Sequence, residues 1–360
     1  MKREIVLVTG ATGHLGSNVI RELVKKNYIV RALLYPGCSI GQRSLKELDV
    51  DIFSGDILDI SSIEKAFDGA DYVVHLAGII SIDGDKDGLV TKINRDGTAN
   101  VADMCLKKKV GRLIHMSSIH VYDFLDYRKP ISEESNFSSR DWHGYYAHSK
   151  VLAEEEVRKR IDKGLNAIIL NPSGIIGPND FEPSRMGKFF LDIFYNRYPT
   201  VIVGGFHYVD ARDVGETIIK SFSKGRVGES YILSENFYSI KKIYEMCHEI
   251  TGLNVPKIEL PLAVAHLGIP FDQLKAKLLR KEPLVTRESL VTLKAMTELD
   301  NTKAIKELSF KPRKFEKTLR DIYIWFIKNN YIDLKNETGL IRERCDVLIS
   351  QEDEIYLKAS

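Results

Sequence analysis

The amino-acid sequence predicts an α/β fold with a doubly wound parallel sheet and a smaller, mostly helical second domain. Short runs rich in Val, Ile and Leu alternate with helical patterns through the first half of the chain. These runs are almost continuously apolar, which is typical of parallel strands buried on both faces. A glycine-rich turn joins the first run directly to the first helical pattern. The predicted strands are Ile5–Thr9, Ile29–Leu34, Asp51–Ser54, Tyr72–Leu76, Arg112–Met116 and Ala167–Leu170.

Helical patterns lie between these strands and imply right-handed crossovers. After Asn171 the alternation stops at a passage rich in proline and glycine, which indicates loops. Residues Tyr208–Val214 predict a return to the sheet and the start of another helix, and from Ser239 onward the pattern is mostly helical. The predicted helices of the first half are Leu15–Lys26, Ser61–Phe67, Val90–Lys108 and Tyr146–Lys163.

The sequence therefore divides into three parts. The first domain takes residues 1–170 together with a return segment at about 206–235. The second domain takes residues 171–205 and 236–330. The polar and charged residues 331–360 form a C-terminal extension, for which a surface helix and a partly ordered tail are both open.

Composition excludes several classes of protein. With 44% hydrophobic and 28% charged residues, the 360-residue chain is globular rather than disordered. Its net charge of +2 gives no reason to expect nucleic acid or an anionic membrane as a partner. The four cysteines are far apart, so neither a disulfide framework nor a zinc knuckle is expected. The apolar run that ends at Gly10 is too short for a signal peptide, and other apolar runs fall below the ~20 residues of a membrane span, so we expect a cytoplasmic protein.

The glycine-rich turn predicts a nucleotide-binding site. One glycine allows a tight turn, a second lets the backbone approach a pyrophosphate, and a third lets helix and strand pack closely. Exposed N–H groups and the helix dipole also favour a phosphate at the start of the helix. A turn without any ligand is the alternative, and for His14 a surface role is equally open. The candidate contact residues are Gly10, Thr12, Gly13, His14, Leu15 and Gly16.

The end of the second strand bears on the choice between NAD and NADP. A carboxylate there would bind both ribose hydroxyls and would repel a 2′-phosphate. The chain instead has Tyr35 at this position, and Arg43 lies a few residues further on. We therefore expect NADP to be preferred to NAD, with a solvated surface charge as the alternative role of Arg43.

A Tyr-x-x-x-Lys pair places both side chains on one face of a helix, one turn apart. The ammonium would favour tyrosinate and lower the tyrosine pKa from about 10, which suits a general acid or base. Only Tyr146 lies between the fifth and sixth strands, where its helix should start at the ligand-binding edge of the sheet. Tyr238 opens a helix far from the first strands, and Tyr331 is expected on a solvated helix face. The motif occurs at Tyr146…Lys150, Tyr238…Lys242 and Tyr331…Lys335.

Ser117 and Ser118 follow the fifth strand at the same edge of the sheet. A serine hydroxyl there could hold a substrate oxygen while Tyr146 exchanges the proton. A serine that caps the local backbone is the alternative.

Two other polar clusters predict no chemistry. The run Glu154–Glu156, followed by residues 158–160, predicts a solvated helix face with i,i+4 ion pairs. No metal site is expected, because the clustered histidines have no carboxylate partner and no H-E-x-x-H pattern. These histidines are His115, His120, His143 and His148.

The ordered series of motifs between residue 1 and about 330 resembles the extended short-chain dehydrogenase/reductase family, within the NAD-dependent epimerase/dehydratase superfamily. The string from Pro172 to Pro178 resembles the dihydroflavonol-reductase and 3β-hydroxysteroid-dehydrogenase branch, which often has Arg in place of Tyr35. The motifs are Thr9-Gly10-x-x-Gly13-x-x-Gly16, Gly55-Asp56-Ile57, His75-Leu76-Ala77-Gly78, Asn94-x-x-Gly97-Thr98, Ser117-Ser118-x-x-Val121-Tyr122, Tyr146-x-x-x-Lys150, Asn171-Pro172-Ser173-Gly174 and Tyr208-Val209-Asp210-x-Arg212-Asp213.

The resemblance implies a Rossmann domain and gives individual residues a role. Tyr146 would donate or accept the proton, Lys150 would bind the ribose hydroxyls, and Ser118 would orient the substrate oxygen. The resemblance also implies that Asp56 and Ile57 lie at the adenine, Leu76, Ala77 and Gly78 along the nicotinamide-side ribose and phosphates, and Pro172 and Ser173 near the nicotinamide.

Together these inferences predict an NAD(P)-dependent oxidoreductase that reduces a carbonyl or oxidises an alcohol on a hydrophobic small molecule. The main alternative is an NAD-dependent sugar-nucleotide epimerase or dehydratase. A non-catalytic dinucleotide sensor is a third, although a sensor has no use for Ser118, Tyr146 and Lys150. The apolar segment Leu260–Ile269 is either a core helix or a wall of the substrate pocket. A homodimer stays open.

Overall fold

The structure is a computed structural model that describes residues 3–81, 84–124, 129–279, 298–337 and 339–359, together with Leu290 and Leu293. Its centre is a seven-stranded parallel sheet with the strand order β10-β6-β5-β4-β1-β2-β3. These strands are β1 (Ile5–Thr9), β2 (Ile29–Leu34), β3 (Val50–Ser54), β4 (Tyr72–His75), β5 (Arg112–Met116), β6 (Ala167–Pro172) and β10 (Ser230–Leu233). The doubly wound parallel fold is therefore confirmed.

Strand β1 shows why the apolar runs are continuous. Val6 and Val8 pack into an apolar cluster on one face of the sheet, and Leu7 packs into a cluster on the other. All three are fully buried. A strand covered by helices on both faces has no side that can stay polar. The strand order changes direction between β1 and β4, and the carboxyl ends of two such strands form the usual ligand crevice of this fold.

Helices cover both faces and continue beyond the sheet. In the middle of the chain, a π-helical turn at Lys92–Gly97 interrupts the predicted helix, and Gly144, with φ 85°, breaks the longer helix near its start. The helices are α1 (His14–Lys25), α2 (Gly41–Ser44), α3 (Ile60–Ile63), α4 (Leu89–Thr91), α5 (Thr98–Lys108), α6 (Arg140–Ile161), α7 (Arg185–Phe194), α8 (Ala211–Lys220), α9 (Ile240–Thr251), α10 (Leu262–Leu279), α11 (Thr302–Leu308), α12 (Phe315–Lys328) and α13 (Gly339–Ala359). In the part of the chain that is described, no helix has the length and apolar character needed to span a bilayer.

The remaining strands form two small sheets. A three-stranded sheet has the order β11-β9-β7, and a two-stranded one joins β12 and β8. The prediction that Tyr208 returns to the main sheet is wrong, because its strand pairs antiparallel with β11 and parallel with β7. The return is made later by β10. These strands are β7 (Gly174–Ile176), β8 (Val201–Ile202), β9 (Gly205–Asp210), β11 (Asn236–Ser239) and β12 (Glu259–Leu260).

A second apolar cluster, rich in aromatic side chains, lies apart from those on the main sheet and includes Phe190, Tyr244 and Tyr323. The C-terminal extension belongs to it, since Cys345 and Leu348 on α13 are buried. Over its described side chains the extension is therefore a packed helix rather than a loose tail. The domain boundaries expected from the sequence stay a prediction.

Candidate active site

The glycine-rich turn fits a phosphate group. Gly10 has φ 67°, and a Cβ at this position would lie 2.7 Å from the backbone nitrogen of Ala77, so only glycine lets the turn approach the end of β4. Helix α1 begins directly after Gly13, and none of the described side chains caps its N-terminus. A Cβ at Gly13 would touch only the Gly10 carbonyl, at 3.5 Å. Uncapped N–H groups beside open space can receive the pyrophosphate of a dinucleotide.

Other residues of the turn are held by the protein itself. His14 Nε2 lies 3.1 Å from the Gly177 carbonyl and 3.2 Å from the Pro178 carbonyl, so this ring tethers α1 to the loop after β7. The expected contact of His14 with a phosphate stays a prediction, while the ring itself is partly buried rather than on an open surface. Leu15 packs into the apolar cluster below the turn. Thr12 Oγ1 lies 3.6 Å from the Cys38 sulfur, which links the turn to the segment after β2.

A buried relay of hydrogen bonds fixes the end of β4. The hydroxyl of Thr9 accepts from the Ala77 N–H at 3.2 Å and lies 2.7 Å from His75 Nδ1. His75 Nε2 lies 3.0 Å from Thr98 Oγ1, whose hydroxyl donates to the Asn94 carbonyl at 2.6 Å. Thr98 must therefore accept from Nε2–H, and Thr9 donates to Nδ1. Burial lowers the pKa of His75 to about 3, so the ring is neutral.

Asn94 connects this relay to the helix of the predicted catalytic residues. Its side-chain amide exchanges two hydrogen bonds with the Ile79 backbone, at 2.8 and 2.9 Å, and donates to Ser149 Oγ at 2.9 Å. Ser149 donates in turn to the Tyr146 carbonyl at 2.7 Å. A Cβ at Gly78 would lie 3.6 Å from Lys150 Nζ, so the Leu76–Gly78 loop runs along this helix. Sequence reasoning quoted Asn94 within a motif but did not place it in the site.

Among the three Tyr-x-x-x-Lys pairs, only Tyr146 and Lys150 share one helix, α6. Tyr238 lies on β11, whereas its lysine lies on α9, so the expected helix at Tyr238 is wrong. Tyr331 follows α12 and is not on a solvated face. Its hydroxyl donates to the Phe181 carbonyl, and its ring stacks on Trp325 with centroids 5.2 Å apart.

The electrostatics of Tyr146 differ from the sequence expectation. Desolvation raises the pKa of Tyr146 to about 12, and the Ser118 side chain offsets part of this rise. Lys150 does not lower the tyrosine pKa, because its ammonium is directed to the Met116 carbonyl, to which it donates at 2.9 Å. Burial lowers the pKa of Lys150 to about 8, against the opposing effect of Glu154. At neutral pH the phenol is therefore protonated and the ammonium is charged.

Ser118 lies at the exit of β5 and also serves the local backbone. Its side chain accepts from the His120 N–H at 3.3 Å, which is the capping role kept as an alternative. Its carbonyl accepts from Asn171 Nδ2 at 3.2 Å, and Pro172 and Ser173 follow directly on β6 and beyond. The residues expected near the nicotinamide thus lie beside the strand exit that bears Ser118.

The adenosine end of the predicted site is more open. Tyr35, just after β2, is 68% exposed. Arg43 lies on α2, and its Nη2 donates to the Tyr331 hydroxyl at 3.2 Å. A Cβ at Gly41 would lie 3.5 Å from the Thr12 methyl group, which places α2 beside the glycine-rich turn.

The two residues expected at the adenine, Asp56 and Ile57, both contact other parts of the protein. Asp56 Oδ1 accepts from the Leu58 N–H at 2.9 Å. The side chain of Ile57 is buried in the core below the π-helical turn, and its position at the adenine stays a prediction. In the described ranges of the chain, no cluster of three His, Cys, Asp or Glu side chains could hold a metal ion.

A Rossmann sheet with a phosphate-fitting turn and a Ser, Tyr and Lys set at one edge defines an NAD(P)-dependent enzyme of the extended short-chain dehydrogenase/reductase type. The model of the NAD dependent epimerase/dehydratase family matches residues 6–233, which is more than half of the chain. The chain therefore belongs to this family, and the resemblance inferred from its motifs is confirmed.

Known proteins match over nearly the whole chain. Sterol demethylase protein B of Methylococcus capsulatus is 29% identical over 91% of this chain and 99% of its own length. Short-chain dehydrogenase/reductase family 42E member 1 of Homo sapiens is 25% identical over 90% of this chain and 88% of its own length. The crystal structure of gox2253 superposes with a TM-score of 0.80 at 29% identity, over 92% of this chain and 100% of that one.

Proposed function

We propose that this protein uses a nicotinamide cofactor to reduce a carbonyl group on a hydrophobic small molecule, with Tyr146 as the proton donor. The observation that carries the proposal is the single helix that holds Tyr146 and Lys150 beside Ser118 and the glycine-rich turn. Because the pKa of Tyr146 is raised to about 12, its phenol is a proton donor at neutral pH. In this protonated form the tyrosine can give a proton to a carbonyl oxygen, as reduction requires.

Each residue of the set has one task. The bound cofactor supplies the hydride at nicotinamide C4. The Ser118 hydroxyl orients the carbonyl oxygen, and Tyr146 delivers the proton to that oxygen as the alcohol forms. The Lys150 ammonium would hold the ribose hydroxyls of the cofactor, and residues Leu76–Gly78 would line the cofactor beside it. The rigid relay through His75 keeps that loop at a constant distance from α6.

NADP is the proposed cofactor in preference to NAD. The family is NAD-dependent as a class, and the preference depends on the adenosine end of the site. Tyr35 offers no carboxylate to repel a 2′-phosphate, and the exposed guanidinium of Arg43 lies beside the turn that receives the pyrophosphate. A guanidinium is well suited to a phosphate, since it donates in a bidentate geometry.

An apolar surface supports a hydrophobic substrate. On α10, Val264 is 47% exposed and Leu267 is 75% exposed, while Ala265 is buried against the aromatic cluster. The segment Leu260–Ile269 is thus only partly a core helix, and its outer side is free to meet an apolar ligand. It contains no Arg or Lys that could bind the pyrophosphate of a sugar nucleotide. Among the relatives, the name of the Methylococcus capsulatus protein refers to a sterol.

We therefore propose a ketone of terpenoid, steroid or flavonoid size, bound between the two proposed domains. Burial of its apolar surface, at ~25 cal/mol per Å², would supply most of its affinity. A cytoplasmic location and a homodimer stay predictions.

A sugar-nucleotide epimerase is the second candidate, because the matching family model is named for epimerases and dehydratases. The two candidates differ in net redox change. The test is a panel of apolar ketones beside UDP- and dTDP-sugars, followed by cofactor absorbance and product analysis, with Tyr146→Phe as the matched variant. Oxidation of NADPH with an apolar ketone, lost in Tyr146→Phe, supports the reductase. Conversion of a sugar nucleotide without net cofactor turnover, and inactivity on every ketone, would overturn it.

A further inference from the structure

Helix α6 carries a carboxylate that the proposed mechanism does not use. Glu154 lies one turn after Lys150 and is only 1% exposed. The predicted solvated face is therefore wrong for this residue, although Glu155 beside it is exposed as expected. The error has a simple cause. The i,i+4 row that begins at Tyr146 faces the sheet, and Glu154 belongs to that row.

Glu154 is joined to the backbone of Ser118 through one amide group. Asn171 Nδ2 donates to Glu154 Oε1 at 2.7 Å and to the Ser118 carbonyl at 3.2 Å. An amide nitrogen has two hydrogens, so both N–H bonds of Asn171 Nδ2 are occupied by these two partners. Asn171 is completely buried. The side-chain nitrogen of Asn171 thus links the helix of Tyr146 to the end of the strand that bears Ser118.

A second tie lies one turn away on the same helix. Lys150 Nζ donates to the Met116 carbonyl at 2.9 Å, two residues before Ser118. The segment from Met116 to Ser118 is therefore fastened to α6 at both ends. Such a clamp fixes the serine relative to the tyrosine before any substrate binds, which is what a proton transfer over a short distance requires.

Burial raises the pKa of Glu154, and the side chains of Ser117, Asn171 and Arg158 oppose that rise by stabilising the carboxylate. Arg158 Nη2 lies 3.4 Å from Glu154 Oε2 and donates to Ser230 Oγ at 2.8 Å. In the described part of the chain, the titratable groups near Lys150 also include Tyr146 on the same helix, His75 on β4 and His115 on β5. Burial lowers the pKa of both histidines, so both are neutral. Among the described residues, Glu154 is then the group whose negative charge can favour the ammonium of Lys150.

We infer that Glu154 is a positioning residue: through Asn171 it holds the Ser118 backbone against the helix of Tyr146 and Lys150, and its charge supports that of Lys150. The inference rests on the proposed function, but the contacts exist without any ligand. We assign Glu154 no contact with cofactor or substrate, because its side chain is buried. If its side chain is removed, one N–H of Asn171 loses its partner inside the protein, and Ser118 is free to shift. A displacement of about 1 Å at a reacting group can cost about 10²-fold in rate.

The first experiment compares Glu154→Ala with Glu155→Ala, an exposed neighbour on the same helix. We expect kcat to fall about ten- to a hundredfold in Glu154→Ala, with little change in KM, and to stay at the wild-type value in Glu155→Ala. Glu154→Gln keeps an oxygen that accepts from Asn171, so it should recover most of kcat at pH 7. Equal kcat in folded Glu154→Ala and Glu155→Ala would overturn the inference.

The second experiment needs no activity, and it uses a variant that keeps the shape of the side chain. A titration of the ¹⁵N-labelled lysine side chains by NMR, in protein without cofactor, should give Lys150 a pKa near 8. Glu154→Gln should lower that value, and Glu155→Gln should leave it unchanged. An unchanged Lys150 titration in Glu154→Gln contradicts the inference. If the wild-type protein reduces no ketone but this shift is observed, the proposed function fails while the coupling of Glu154 to Lys150 stands.

Discussion

The two ends of the predicted cofactor site are built in opposite ways. At the catalytic end, Ser118, Tyr146 and Lys150 are fixed by buried hydrogen bonds from helix, strand and loop. At the adenosine end, Tyr35 is mostly exposed and the exposed Arg43 donates to the Tyr331 hydroxyl. The first end is determined by the core of the protein, whereas the second depends on side chains at its surface.

This difference separates chemistry from cofactor choice. A change at the catalytic end must disturb a buried polar network, which is costly because each lost partner leaves a polar group unpaired. A change at the adenosine end alters one solvated contact and leaves the fold intact. We therefore expect large effects on turnover from the first end and smaller effects, confined to affinity, from the second.

The largest expected effect comes from Tyr146→Phe. Loss of the proton donor should lower turnover about 10²–10⁴-fold, the usual range for a general acid. Cofactor affinity should stay similar, because the phenol does not bind the cofactor phosphates. Steady-state rates and a cofactor titration measure both. Tyr238→Phe is the control and should match the wild type, since Tyr238 lies on β11 and not beside Ser118. Near-normal turnover in Tyr146→Phe would remove this tyrosine from the mechanism.

The next effect is that of Arg43→Ala on cofactor choice. A charge-assisted contact with a 2′-phosphate contributes roughly 1.5–3 kcal/mol, or about ten- to a hundredfold in affinity. NADPH should therefore bind that much more weakly to the variant, whereas NADH should bind as it does to the wild type. Calorimetry with both cofactors is the measurement. Stronger binding of NADH than NADPH by the unmutated protein would show that the NADP preference is wrong.

Cofactor affinity should depend on pH through the ionisation of Lys150. The pKa of Lys150 is lowered to about 8 by burial, so the ammonium is present below this pH and is lost above it. If the ammonium binds the ribose, cofactor affinity is constant below about pH 8 and falls about tenfold for each further unit. Dissociation constants between pH 6 and 10 would show the bend. Lys150→Met should bind weakly with no bend, and a bend that persists in this variant belongs to another group.

The smallest effect is expected from Tyr331→Phe. The hydroxyl that orients Arg43 is lost, but the ring stays beside the guanidinium, 5.9 Å from its carbon. We expect about threefold weaker binding of NADPH, no change for NADH and normal turnover at saturating cofactor. Titrations of the variant with NADPH and with NADH measure both affinities. An equal loss of affinity for the two cofactors would contradict a specific role of the hydroxyl and would indicate a disturbed C-terminal segment.

The sequence predicted the main sheet well because the information is local. Strands β1, β2 and β5 have the predicted bounds, since strands covered on both faces are almost continuously apolar. The glycine-rich turn and the pair on α6 are equally local. The run of charged residues predicted a solvated face at Glu154, but the buried partner of this carboxylate is Asn171, which comes from another element. Similarly, Arg43 meets Tyr331 across 288 positions of the chain, which no local pattern reveals.

The placement of Tyr208 shows the same limit. Its strand has the composition of a sheet strand, and this much was predicted. Which sheet it joins depends on the pairing with β11 and β7, a competition between partners that composition does not encode.

The most direct test of the central claim is isotope transfer from the reduced cofactor. NADPH deuterated at the transferred C4 position is incubated with the protein and a panel of apolar ketones, and each product is analysed by mass spectrometry. We expect an alcohol that contains one deuterium, formed with one NADP⁺ per product, and at least a hundredfold less of it with Tyr146→Phe. Unlabelled apolar products in every case, together with turnover of a sugar nucleotide that leaves the cofactor reduced, would contradict it.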